Sequence, residues 1–327
     1  MNHGKAAFHD GPLVYAAIGG QYRLIARILD AREAVSLASD RHEVIDAFRA
    51  AINWGFTRIV ELLLHRCPAL AEPHLACLAA RTNQLDIFKL LCPILDLPLG
   101  DFAFLTDAAG SGHLDFVSFC LENGASPIGN DVPSDELMHL RIPIQVACSR
   151  GYREVVKLLL KHGANPLDEQ DRRHALPAAA SGGYWRLVQD LLTAGAVACH
   201  NYRHSPLIVA VRNGQAKVVE VLLDSGIELW YKDWALCKAA EAGYDTIVRL
   251  LVERGAKIDA IDQYDMWETP IIHAMINGHP HVVRTLLKLG AKPVCPYPIS
   301  NHSGVLELWK YPRVERYATE SAVCPPA

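Results

Sequence analysis

Three groups of side chains in this 327-residue sequence have types and spacings that could do chemistry. His273 with His279-Pro280-His281 offers three imidazoles that could converge on a metal ion. Cys199, His200 and His204 form a thiolate–imidazole set that lacks a fourth ligand for zinc. Lys238, close in sequence to Asp233 and Glu241, carries an amine that burial or a neighbouring cation could turn into a nucleophile or base, with His273 as a possible companion. The plainer reading of Lys238 and Glu241 is an ion pair, because a spacing of three residues puts both on one helical face. There is no GxxxxGK[ST], no GxSxG and no GxGxxG after a strand. No catalytic residue, metal or cofactor is therefore assigned, and a non-catalytic protein is expected.

Whether these groups meet depends on the elements that carry them, and a repeat sets those elements. A tight-turn residue between two apolar stretches recurs at Gly20, Gly55, Asn83, Gly112, Gly151, Gly183, Gly214, Gly243 and Gly278. The mean interval is about 32 residues. Alanine stands four residues before this anchor in every unit, from Ala16 to Ala274. The fourth and fifth residues after it are apolar, as in Val155–Val156 and Ile247–Val248. Glycine stands twelve residues after it in six units, from Gly124 to Gly290. Apolar positions seven, four and three before the anchor share one face of a first helix. Those at four, five, eight and nine after it share one face of a second helix. Each unit reads as two short antiparallel helices that cannot bury their stripes alone, so stacking must make the core.

This pattern resembles the ankyrin repeat family, over roughly Gly11 to Lys292. Thr269-Pro270-Ile271 and Ser205-Pro206-Leu207 are the nearest matches to its TPLHxA signature, and no unit has the histidine. The resemblance implies an all-α solenoid of about nine helix-turn-helix units with short β-hairpin or loop fingers. Residues 1–10 precede the array, 128–140 form a surface-loop insertion, and 293–327 hold a C-terminal cap and tail, with a short helix expected over 303–310. The early units around Asn83 leave little room for a full finger.

Composition narrows the partners. Lys plus Arg total 32 against 36 Asp plus Glu, a net charge of −4, which argues against nucleic acid and anionic membranes. No apolar run approaches the ~18 residues of a membrane span. The first eleven residues have no apolar signal core, and the nine cysteines show neither a CxxC pair nor a secreted disulfide pattern. The expectation is a monomer in the cytoplasm or nucleus.

The resemblance implies binding through the finger tips and the concave face of the first helices. Helix geometry points positions eight, five and one before the anchor away from the core, which selects Arg150, Lys238 and His273, with Arg212 and Glu241 at the groove edge. The late fingers add Tyr202, Trp230, Tyr231, Asp233, Trp267 and Glu268, and Trp234 follows at a position usually held by threonine. Tryptophan, tyrosine and arginine dominate binding hot spots, so an exposed aromatic ridge flanked by charges is expected to hold a protein or peptide. The alternative is an enzyme or small-molecule site in the groove of the late repeats. Against both stands packing of the rings between neighbouring fingers.

Overall fold

The computed structural model describes residues 11–32, 41–128, 142–165, 175–196, 205–226, 231–261 and 269–292. The chain divides into two units. The first spans Met1–Ala147 and Tyr152–Asn165, the second Cys148–Gly151 and Pro166–Ala327. The described residues are helical and turn, with no strand among them.

The first unit carries α1 (Pro12–Ile18), α2 (Tyr22–Arg32), α3 (Arg41–Asn53), α4 (Thr57–Arg66), α5 (His74–Arg81), α6 (Leu85–Ile94), α7 (Phe102–Ser111) and α8 (Leu114–Glu122). It also holds most of α9 (Pro143–Arg150) and all of α10 (Arg153–Lys161). First helices pack in series, α1 on α3, α3 on α5 and α5 on α7, and second helices do likewise from α2 to α4 to α6. The repeated alanine explains the close approach, since all nine alanines are at most 2% exposed. Phe88 anchors the middle of this unit, with the rings of Phe104 and Phe116 edge-on at 4.9 and 4.8 Å.

The second unit carries α11 (Ala175–Ser181), α12 (Trp185–Thr193), α13 (Pro206–Arg212), α14 (Ala216–Asp224), α15 (Lys232–Glu241), α16 (Asp245–Glu253), α17 (Pro270–Ile276) and α18 (Pro280–Lys288). Here α11, α13, α15 and α17 stack in series, as do α12, α14, α16 and α18. Val218, Val219, Leu222 and Leu251 are all 0% exposed. Burying each such side chain contributes roughly 1.5–3 kcal/mol.

Both turn positions behave as their residue types require. Every anchor glycine has positive φ, and Asn83 takes the same conformation at φ 59°. Asparagine is among the few side chains that tolerate it. One contact was not foreseen. The residue after each anchor reaches back over the anchor of the preceding unit, so Tyr152 covers Gly112, Tyr184 covers Gly151 and His279 covers Gly243. An added Cβ at Gly112 would lie 2.6 Å from the Tyr152 ring.

The early units are abbreviated as expected. A 3-10 turn, Pro68–Leu70, follows α4, and Asp96 at φ 52° turns the chain after α6 where later units use glycine. Most of the late finger segments, the 129–140 part of the insertion and the tail with its expected 303–310 helix lie outside the described residues.

Candidate functional site

The late-repeat residues divide by where their helices place them. Tyr202, Trp230, Trp267 and Glu268, with Cys199, His200 and His204, lie outside the described residues. Tyr231 and Trp234 do not form an exposed ridge. They are 2% and 7% exposed, with ring centroids 6.3 Å apart. The reason is register. Trp234 stands nine residues before its anchor, the same place as Ser205 and Thr269, which are 0% and 3% exposed. That row lies at the seam between stacked first helices. The Arg212 guanidinium, itself exposed, sits 5.8 Å from the Trp234 ring centroid.

Lys238 and His273 also depart from the expectation of a free groove-facing position. They are 7% and 3% exposed. Here the neighbouring first helices α15 and α17 pack side by side, and Lys238 and His273 are shielded in the cleft between them. The Lys238 Nζ is 2.7 Å from Glu241 Oε2, and Glu241 is the more exposed partner. This is the plain i, i+3 ion pair. An ammonium held by a carboxylate is a poor nucleophile. Lys238 is the buried member, so Glu241 spares its amine an unpaired position, while solvent at Glu241 screens the pair and keeps its contribution modest. Asp233 is engaged as well, its Oδ1 accepting the Lys257 N–H at 2.8 Å. Arg150, at the end of α9, is exposed.

The histidine group does not form a metal site. His279 Nε2 meets the Glu241 carbonyl oxygen at 2.9 Å, and His281 Nε2 meets that of Gly243 at 2.9 Å. Each imidazole thus covers a turn carbonyl of the preceding unit. Among the described residues no group of three or more His, Cys, Asp or Glu side chains could hold a metal ion.

Two features of the first unit carried more than their sequence positions suggested. Tyr15 and Trp54, in the outward rows of the first two units, are each 62% exposed. Nothing in residue type distinguished them from the late aromatics; only burial does. The second feature is Asp107, whose carboxyl is held above its ordinary range by burial, with the Arg81 charge and a hydrogen bond to Cys77 partly offsetting this. The Cys77 thiol is pushed up by burial and by the Asp107 charge.

Paired helices around a buried alanine row, and paired left-handed turns, together match one family description. "Ankyrin repeats (3 copies)" matches residues 76–170, 144–233 and 232–296. The chain belongs to the ankyrin repeat family. Over 266 residues it is 31% identical to "Ankyrin repeat and KH domain-containing protein mask-1" of Caenorhabditis elegans, covering 76% of this chain but 10% of that protein. It is 27% identical over 240 residues to "B-cell lymphoma 3 protein homolog" of Mus musculus, covering 70% of this chain and 47% of the relative. The chain therefore spans less than half the length of either relative. Among solved structures it resembles the human ASB11 ankyrin repeat domain, with a TM-score of 0.56 and 23% identity over 68% of this chain and 100% of that one. That likeness shows the fold: an all-α ankyrin solenoid. Ankyrin repeats are generally protein-interaction scaffolds. No helix among the described residues is long and apolar enough to cross a membrane.

Proposed function

We propose that this chain is a non-catalytic scaffold that binds another protein or peptide, with the first-helix surface of its N-terminal repeats as a contact site. One observation carries this reading: Tyr15 and Trp54 are the most exposed of the large apolar side chains described, at 62% each, Tyr15 on α1 and Trp54 directly after the neighbouring α3. Rigid aromatic side chains bury much area at little entropy cost, which suits them as anchors. In the second unit the exposed Arg212 and the half-exposed Glu241 supply polar contacts of the kind found at interface rims. An enzymatic or small-molecule site in the late repeats has weaker support, since Lys238 and Asp233 are already engaged within the repeat stack. The nine cysteines of the sequence show neither a CxxC pair nor a secreted disulfide pattern, so we place the protein in the cytoplasm or nucleus.

The test compares affinity capture from native lysate by the unaltered chain and by a Tyr15→Ala/Trp54→Ala variant. The variant should lose the proteins the parent enriches while its melting temperature stays within about 2 °C, since exposed positions contribute little to stability. Equal enrichment by both would remove these residues from the binding surface.

A further inference from the structure

On α2 an apolar row that later repeats bury is left exposed. In each later pair the residue four after the anchor is at most 2% exposed, whereas Leu24 on α2 is 43% exposed. The residue eight after it is 0% exposed in every later pair, and Ile28 is only half-buried. In the described part of each unit, second helices lie against the second helix of the preceding pair. Leu24 and Ile28 occupy the rows used for that stacking, yet no described pair lies before α2. They form a ready-made stacking strip on one face of α2.

Charge says what fits the strip. Arg23 and Arg27 are exposed on the same helix and make no ion pair among the described residues. The one carboxylate on α2, Asp30, is bound by Arg66 at 2.7 Å. A second copy docked through a two-fold axis would set these arginines against their own equivalents, which like-charge repulsion opposes. Residues 1–10 carry Lys5 and a single carboxylate, Asp10, so they do not complement the strip.

We propose that the outward face of α2 docks an amphipathic helix from an acidic polypeptide, which lays its apolar stripe on Leu24 and Ile28 and its carboxylates beside Arg23 and Arg27. The bound helix adds one further layer to the stack, in the manner of the second helices within the array.

The probes are two synthetic helical peptides of about 18 residues. They share one leucine stripe and are flanked by glutamates in one and lysines in the other. Fluorescence anisotropy with the full chain should show saturable binding of the glutamate peptide only. Leu24→Glu should weaken it at least about tenfold with an unchanged melting curve. Arg23→Glu/Arg27→Glu should transfer the preference to the lysine peptide, and this variant decides the matter if Leu24→Glu fails to fold. Equal binding of the two peptides, or of neither, overturns the proposal. So does a concentration-dependent dimer that Leu24→Glu dissolves, which assigns the face to a second copy. Binding that is gained only when residues 1–10 are deleted assigns it to that segment and also overturns the proposal.

Discussion

Substituting Gly112 by alanine tests the turn-covering contact that links one repeat to the next. Gly112 ends α7 in the left-handed conformation, φ 81° and ψ 20°, and a Cβ there would meet Cε1 and Cδ1 of Tyr152 at 2.6 and 2.7 Å. Two costs combine. The left-handed backbone costs a residue with a Cβ roughly 1–2 kcal/mol. Forcing a methyl against a packed ring costs about 1–3 kcal/mol, nearer the lower end if the ring swings aside. Gly124 supplies the control in the same unit, because its φ is 90° but nothing lies within 4 Å of its Cβ position. Gly124→Ala should therefore lose only the backbone part, about 1–2 kcal/mol. The difference of about 1–3 kcal/mol is read as the urea midpoint, where a slope of 1–3 kcal/mol/M turns it into a shift on the order of 1 M. Hydrogen exchange at the α7 and α8 amides localises the loss. In the double variant Gly112→Ala/Tyr152→Ala the two changes should couple favourably by about the size of the clash. Equal destabilisation at Gly112 and Gly124, with no coupling to Tyr152, would refute the reasoning.

Two further outcomes follow from buried titratable groups. Asp107 has its folded-state carboxyl raised, so the native state holds the proton more tightly and stability is lost as pH climbs through the raised value. Asp107→Asn should match the parent below about pH 3 and exceed it near neutrality. A variant less stable at neutral pH would show that the carboxylate is favourably held. The second outcome concerns thiols. Burial pushes Cys92 up to about 11 and Cys120 up to about 12, and it raises Cys148 as well. Because the thiolate is the reactive form, these three should resist alkylation of the native protein near pH 8 and react on unfolding. Native-state labelling at the rate of a free thiol would contradict their burial.

The sequence by itself determined the repeat. Periodicity located every anchor turn, the alanine row and the glycines that end the second helices, because backbone conformation and helix-face burial constrain residue type directly. At Asn83 and Asp96 a different residue takes up the left-handed turn, and the local chemistry of asparagine and aspartate shows why. The identity of the exposed residues was a matter for tertiary structure alone. Trp234 and Tyr231 have the composition of an interface, yet stacking of first helices buries them, while Tyr15 and Trp54, of similar chemistry, are left in solvent. Lys238 and His273 sit in an outward helical row, yet the neighbouring helix shields them. Leu24 carries the same apolar signal as its counterparts in later repeats. It differs only because no described pair lies before it, and burial of a side chain belongs to what is packed against it, which its own helix cannot specify.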